Sequence, residues 1–135
     1  MLITLQKDFC DYDMAKRAYE IWRWDWEDYD DFVSKYGGLN NPEEGAKYYT
    51  DWYWYNNIGL MLKSGLLDEN MLYNLNGTSF IANYERWAEL IKESRVRFHD
   101  EHYMEYYEYL ADRMKHVQKN RNIVWENRFL NTRTK

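Results

Sequence analysis

A chain of 135 residues is the size of one domain, and 45% hydrophobic residues with a net charge of −5 indicate a globular rather than a disordered protein. Aromatic residues make up 19% of the sequence, so rings are expected to form much of the core. No window approaches the ~18 consecutive apolar residues of a membrane helix, which argues against a membrane-spanning protein.

The cysteine content and the charge distribution predict a cytoplasmic protein with one basic end. Cys10 is the only cysteine, so no intramolecular disulfide forms, and the opening segment MLITLQKDF lacks the features of a secretory signal. Residues 113–135 carry seven Lys or Arg against one acid, which leaves +6 there and −11 on residues 1–112. This polarity fits an anionic partner, self-association through opposite patches, or a solvated helix end.

Apolar residues at helical spacing predict the first helix. It is expected to begin between Asp8 and Asp13, either of which can cap it, and to end at the glycine pair 37–38. Its stripe consists of residues three or four positions apart: Ala18, Trp22, Trp26, Tyr29, Val33 and Tyr36.

The second helix is predicted over residues 42–64. Asn41 is expected to cap it, Pro42 suits its first position, and Gly65 is expected to end it. Because this helix is apolar nearly all round, we expect it to be central. Gly59 in its interior predicts the close approach of a neighbouring helix.

Three further helices follow. Asp68 is expected to open a short one that Gly77 closes, and Thr78 or Ser79 to cap the next. Whether residues 97–100 break that helix from the fifth is left open. The fifth helix is predicted from Tyr103, Tyr107, Leu110, Met114 and Val117.

The complete pattern predicts an all-α fold. One Pro, few Gly and no alternation of apolar residues leave little room for strands. We expect a compact orthogonal or antiparallel bundle of five to six helices, in one domain over residues 1–135. A last amphipathic piece, 123–130, lies in a basic tail, 119–135, that is expected to dock loosely.

The central block joins WYWYNNIGL at 52–60 to KSGLLDE at 63–69, followed by Ile81, Glu85, Ile91 and Arg95. In these features the sequence resembles a family of prokaryotic helical domains of unknown function, family 4760, over about residues 45–115. The resemblance implies a helical fold and no catalytic residue, because the family has no established activity. Some relatives carry a membrane helix ahead of the domain, whereas none is visible in this sequence.

The run WRWDW at 22–26 is the strongest candidate for an interaction surface. Its outer two tryptophans share one side of a helix, so Trp24 points elsewhere. An exposed Trp24 beside Tyr53 or Trp54 would form an apolar patch that binds another protein or a second copy of the chain. The alternative is that a second helix covers both sides.

Asn56, Glu85 and Arg95 are candidates for a polar or anion site. Asn56 lies on an apolar helix, where it must hydrogen-bond if buried or else line a pocket. Glu85 borders the apolar stripe of its helix. Arg95 is either half of a structural ion pair, for example with Glu108, or an anion-binding residue.

His99 and His102 are the nearest approach to a metal signal. If both lie on one helix, they face the same side, where Glu105 can complete a site. Surface or half-buried structural histidines are the alternative. The sequence contains no zinc-protease motif, nucleophile elbow or phosphate loop, so we predict no catalytic residue and no cofactor.

These observations leave three functions open, of which a non-enzymatic interaction or homo-oligomerising module is favoured. A small metal-dependent enzyme or sensor would use His99, His102 and Glu105. Nucleic-acid binding would use the basic tail, where Arg121 and Arg128 stand near aromatic residues, although the acidic body opposes it.

Overall fold

Five helices run through residues 11–133 of the computed structural model, and no strand occurs there. The structure describes the backbone of residues 7–8 and 11–133 and the side chains of 7–8 and 11–122, so Cys10 lies outside the described residues. In chain order the helices are α1 (Tyr12–Trp22), α2 (Tyr29–Tyr36), α3 (Pro42–Lys63), α4 (Glu69–Arg97) and α5 (Glu105–Arg133). The predicted all-α bundle is confirmed.

The first predicted helix is wrong as a single element, because the chain leaves the helical path between Trp22 and Tyr29. The carboxylate of Asp28 accepts the N–H of Asp31 at 2.8 Å, and the carboxylate of Asp31 accepts the N–H of Glu27 at 3.0 Å. These bonds satisfy backbone donors at the start of α2. Apolar residues at helical spacing continue across the break, although Trp22 before it is exposed and Trp26 after it stacks on the buried Trp87, so a periodicity argument does not reveal the break.

Acidic caps start two other helices: Asp68 is the cap that the sequence predicted, whereas Asp11 lies between Asp8 and Asp13, the two residues predicted to cap the first helix. Asp11 and Asp68 each accept the N–H of the residue three positions on, at 2.9 Å. Asn41 is different, since it precedes α3 without a side-chain capping bond. Its Nδ2 donates instead to the carbonyl of Ser34 at 3.1 Å, so Asn41 occupies the predicted N-cap position but its side chain bonds elsewhere.

The central helix is α3, as predicted, because it packs against α1, α2 and α5. A Cβ at Gly59 would collide with the backbone carbonyl of Tyr106 on α5, so the predicted close approach of a neighbouring helix is confirmed. After the last turn of α3, Gly65 takes the left-handed conformation with φ of 80° and ends the helix as predicted.

Two helical segments that meet at a kink make up α4, in agreement with the two helices that the sequence predicted there. The kink lies at Asn76, whose φ of −168° and ψ of 42° are not helical. The ring of Tyr73 covers Gly77, where a Cβ would collide with it. The predicted boundary at Gly77 is therefore one residue from the kink, whereas the predicted caps are wrong because Thr78 and Ser79 lie inside the helix.

A turn separates α4 from α5, which answers the question that the sequence left open. The N–H of Asp100 donates to the carbonyl of Arg95 at 3.0 Å. The N–H of His99 donates to the carbonyl of Val96 at 3.3 Å. These two bonds form a Schellman ending, in which His99 occupies the left-handed position with φ of 53°.

Aromatic rings fill much of the core. Trp87 on α4 is 1% exposed, and its ring stacks on Trp26 at 5.4 Å and meets Trp52 edge-on at 5.6 Å. Between α3 and α5, Tyr55 stacks on Tyr107 at 4.8 Å. Burial of each large apolar side chain contributes roughly 1.5–3 kcal/mol, so these contacts fix how the helices pack.

Candidate interaction surface

Trp24, the predicted anchor of an exposed patch, is half-buried in the ring cluster instead. Its indole stacks on Tyr36, with centroids 4.2 Å apart, and meets Trp87 edge-on at 6.5 Å. The prediction is wrong because α1 ends at Trp22, which places Trp24 in the connection to α2, where its ring turns inward. This ring therefore takes part in the packing of the fold.

Arg86 on α4 contacts the other two tryptophans of the run, Trp22 and Trp26. Its guanidinium lies 4.8 Å from the ring of Trp22 and 4.9 Å from that of Trp26. Its Nη2 donates to the carbonyls of Ile21, at 2.9 Å, and Trp24, at 2.7 Å. These carbonyls lie at the end of α1, where the helix dipole attracts a cation. Burial lowers the pKa of Arg86, but a guanidinium stays protonated at neutral pH.

The other two predicted anchors differ in exposure. Trp54 is half-buried: its Nε1 donates to the carboxylate of Asp8 at 3.2 Å, and its ring meets Tyr55 edge-on at 5.0 Å. Tyr53 is 38% exposed, and its ring lies 4.5 Å from that of Tyr49, which is also exposed. Among the three predicted anchors, Tyr53 is therefore the one with an exposed ring.

Asn56 caps α5 from a different helix. Its side-chain carbonyl accepts the backbone N–H of Tyr106 and that of Tyr107, each at 3.1 Å. Both donors belong to the first turn of α5, where a helix has no internal acceptors for them. The side-chain oxygen of Asn56, which the sequence suggested for a polar or anion site, is therefore engaged in capping α5.

Arg95 and Glu85 have separate partners. Nε of Arg95 donates to the carbonyl of Tyr103 at 2.7 Å, and its Nη1 lies 3.5 Å from Glu108. The suggested pairing of Arg95 with Glu108 is thus confirmed, and it ties α4 to the start of α5. Glu85 is exposed and lies 3.4 Å from Nζ of Lys115. With Asn56 engaged elsewhere, the three residues do not form one site.

His99, His102 and Glu105 do not form the predicted metal site. The premise that the two histidines share a helix face is wrong, because both lie in the turn before α5. Nδ1 of His102 lies 2.8 Å from the carboxylate of Glu105, and this contact raises the pKa of the imidazole. Within the described residues, no group of three or more His, Cys, Asp or Glu side chains is placed to hold a metal.

Arg121, a candidate contact for nucleic acid, binds α4 instead. It donates to the side-chain oxygen of Asn74 at 2.6 Å, and its guanidinium lies over the ring of Tyr73 at 4.6 Å. The side chain of Arg128 lies outside the described residues, as do all those of 123–135. The position of Arg121 therefore lends no support to nucleic-acid binding.

The most exposed aromatic side chains on one helix lie along α1. Tyr12 and Tyr19 are each 76% exposed, and Trp22 is 46% exposed. Together with Ala15 they lie on one side of the helix, which we call the outer face, and they line a shallow groove of about 760 Å³. A contiguous row of exposed rings is typical of a surface on which another protein docks.

Ionic contacts hold the opposite side of α1 against α3. Nε of Arg17 donates to Asp51 at 2.9 Å, and Nζ of Lys47 lies 2.9 Å from Glu20. Burial raises the pKa of Asp51, and the charge of Arg17 opposes that rise. Ile21, which is buried, adds an apolar contact on this side. These contacts hold α1 against α3, and the outer face of α1 stays exposed to solvent.

Sequence reasoning missed the outer face. The predicted stripe ran through Ala18, which is exposed in the structure. A competing stripe with the same helical spacing consists of Tyr12, Ala15, Tyr19 and Trp22. Periodicity alone therefore does not decide which of the two stripes is buried. The ionic partners of α1 on α3 decide it, and their pairing is invisible without the fold.

None of the helices in the described part of the chain is long and apolar enough to cross a membrane. A family model described as a domain of unknown function (DUF4760) matches residues 21–114, which is more than half of the chain. The match contains most of the region where the resemblance was seen and extends it toward the N-terminus, while Tyr12 and Tyr19 precede it. No curated protein and no solved structure matches the chain.

Proposed function

The chain belongs to the DUF4760 family of domains of unknown function, and we propose that it is a non-catalytic module that binds another protein through the outer face of α1. The observation that carries the proposal is the row of Tyr12, Tyr19 and Trp22, exposed on a helix whose opposite side is anchored. Because the family has no established activity, the proposal is argued from the surface of the molecule.

The size of the exposed rings sets the strength of such a complex. The exposed parts of the three side chains amount to roughly 300–400 Å², because a free Tyr or Trp presents roughly 150–250 Å². At about 25 cal/mol per Å², covering them contributes about 7–10 kcal/mol before other terms. Association opposes this with about 4–15 kcal/mol of lost freedom, so the face supports a weak to moderate complex.

The anchoring of α1 favours binding because the face needs little ordering. Arg17 and Glu20 hold the helix to α3, and Arg86 holds the ring of Trp22 in place. A surface that is already rigid loses less conformational entropy when a partner covers it. Tyr53, which is exposed beside Tyr49, is a secondary contact in this proposal.

The enzymatic and nucleic-acid alternatives have less support. Among the described side chains, Arg95 is engaged by Glu108, and His102 by Glu105. Arg121 is likewise occupied by α4. The setting we propose is the cytoplasm of a prokaryotic cell, which rests on the family resemblance and on a single cysteine that needs no oxidising compartment.

Site-specific photocrosslinking in expressing cells tests the proposal. A photoreactive phenylalanine analogue replaces Tyr19 in one variant and Ala82, an exposed residue of α4, in the control. We expect one recurrent protein adduct from position 19, identified by mass spectrometry, and none from position 82. The same adducts from both positions, or none from position 19, would contradict the proposal.

A further inference from the structure

We infer that the outer face of α1 binds an acidic segment of its partner, one that presents carboxylates to Lys16 and Arg23 and apolar side chains to the exposed rings. The inference rests on the proposed function, because it states the chemistry of the partner that binds the same face. It is carried by the positions of the two cations among the rings, by their lack of ion pairs, and by the distance between them.

Two basic side chains alternate with the tyrosines along the groove on α1. Lys16 lies four positions after Tyr12 and three before Tyr19, and Arg23 lies four positions after Tyr19. Side chains at these spacings are neighbours on the surface of a helix. Arg23 has helical backbone angles, with φ of −80° and ψ of −17°, so it continues the row beyond the last residue of α1. All four side chains are exposed and line the groove.

The two cations of the groove are free to bind carboxylates from outside, because neither has an ion pair among the described residues. Glu20 is the acidic residue in the described lining of the groove, and Nζ of Lys47 lies 2.9 Å from its carboxylate. This bond lowers the pKa of Glu20, and the charge of Lys16 adds to the effect from a longer distance. On the opposite side of α1, by contrast, Arg17 is paired with Asp51.

The groove is locally positive on a chain whose net charge is −5. At physiological ionic strength, exposed charges more than about 8 Å apart are largely screened, so a bound segment responds to the nearest charges rather than to the net charge. Acidic residues elsewhere on the surface repel an acidic segment and thereby favour its binding at the groove. The hydroxyls of Tyr12 and Tyr19 can donate to its carboxylates, while their rings cover its apolar groups.

The distance between the two cations sets the spacing of the carboxylates that they bind. Lys16 and Arg23 are seven positions apart, which is about 10 Å along the helix axis. Two carboxylates at the same spacing on an amphipathic helix have the same separation, and the apolar side chains between them then face the rings. An amphipathic helix laid in an apolar groove is a common mode of peptide recognition. Strong binding to nucleic acid instead needs contacts with many phosphates, which favours a protein segment here.

Fluorescence anisotropy of two labelled helical peptides, titrated with the full chain, tests the inference. Both peptides carry a leucine stripe. One has two glutamates beside the stripe at the spacing of Lys16 and Arg23, and the other has lysines at the same places. We expect the native chain to bind the glutamate peptide with a Kd on the order of 100 µM, at least about tenfold tighter than the lysine peptide. The preference is expected to shrink as added salt screens the charges.

Reversal of the two charges provides the decisive variant. Lys16→Glu combined with Arg23→Glu is expected to make the chain bind the lysine peptide more tightly than the glutamate peptide, a gain that damage to α1 does not produce. Lys92→Glu combined with Lys119→Glu makes the same change in total charge at exposed positions of α4 and α5, and is expected to keep the native preference. Equal affinity for the two peptides, no binding of either at about 1 mM chain, or an unchanged preference in the reversed variant would overturn the inference.

Photocrosslinking from position 19 separates the failure of this inference from that of the proposed function. A recurrent adduct whose crosslinked segment carries more acidic than basic residues supports the inference. A segment without that acidic surplus, whether from another protein or from a second copy of this chain, overturns the inference alone. An adduct with lipid or nucleic acid, or no adduct, overturns the proposed function as well.

Discussion

Asn56 and Tyr106 join two helices that are far apart in the sequence. The side-chain oxygen of Asn56 on α3 accepts the N–H of Tyr106 at 3.1 Å, and one turn further along α3 the backbone of Gly59 lies against the carbonyl of the same tyrosine. A hydrogen bond and a close backbone contact therefore meet at one residue of α5. Together they set the distance and the register between α3 and the start of α5.

Asn56→Ala is expected to lower the free energy of unfolding by about 1–2 kcal/mol, because two N–H donors of α5 lose their acceptor. Asn56→Asp keeps an acceptor oxygen and places a negative charge at a helix N-terminus, so it is expected to retain most of the stability. Urea unfolding followed by circular dichroism measures both. Asn57→Ala, at an exposed position beside it, is the control and is expected to unfold like the native chain.

Gly59→Ala is expected to destabilise the fold by about 2–3 kcal/mol, because the new Cβ forces the backbone of α3 and α5 apart. Helix propensity acts in the opposite direction by only about 1 kcal/mol, so the collision decides the sign. The midpoint of thermal unfolding reports the change. An increase in that midpoint would show that the two helices are not in close contact.

Helix boundaries could be predicted from the sequence where a side chain acts within its own turn. Asp68 is a cap of this kind, and Gly65 marks the end of α3 because its positive φ suits glycine. Asp11 caps α1 within the range predicted for its start, although Asp8 and Asp13 were the predicted caps. The break after Trp22 could not be predicted, since the carbonyls at that end of α1 are satisfied by Arg86, more than sixty positions away. A periodic stripe shows which residues are apolar. It does not show which distant side chain binds the carbonyls at the end of the helix.

The candidate surface shows the same limit. Three tryptophans at 22–26 suggested an exposed patch, and the structure places Trp24 and Trp26 against other rings. Whether a ring on a short helix faces core or solvent depends on the tertiary partners of that helix. For α1 those partners are Asp51 and Lys47, on a helix that begins some twenty residues later. Pairings of this kind are decided by the fold rather than by local spacing.

The pKa of His102 is expected to lie above its usual value of about 6.5, because Glu105 hydrogen-bonds the ring and stabilises its protonated form. The raised value means that this contact stabilises the fold below the usual pKa and stops doing so as the pH rises through the raised pKa. The imidazole is exposed, so titration by NMR is a better measurement than unfolding. Glu105→Gln is expected to lower the pKa more than Glu101→Gln does, and equal shifts would refute the assigned partner.

Arg86→Lys is expected to destabilise the fold by about 1–3 kcal/mol although it keeps the charge. A lysine does not stack flat between Trp22 and Trp26, and its single ammonium reaches the carbonyls of Ile21 and Trp24 less well than a planar guanidinium. Urea unfolding measures the loss of stability, and tryptophan fluorescence reports the changed surroundings of Trp22 and Trp26. Arg23→Lys changes an exposed arginine that follows Trp22 in the sequence and is the control. An equal loss in both variants would argue against a specific contact of Arg86 with the two rings.

His99→Gly is expected to stabilise the protein by about 0.5–1 kcal/mol, because His99 holds the left-handed position of the Schellman ending, where a side chain costs energy that glycine avoids. The imidazole is exposed, so its removal leaves no cavity. Met104 provides the contrast, since it also has a positive φ, of 57°, but is 3% exposed. Met104→Gly is therefore expected to lose about 2–5 kcal/mol, because the lost packing outweighs the relief of the backbone. Thermal unfolding of the two variants measures this difference in sign, and a loss of stability in His99→Gly would show that its side chain contributes to the turn.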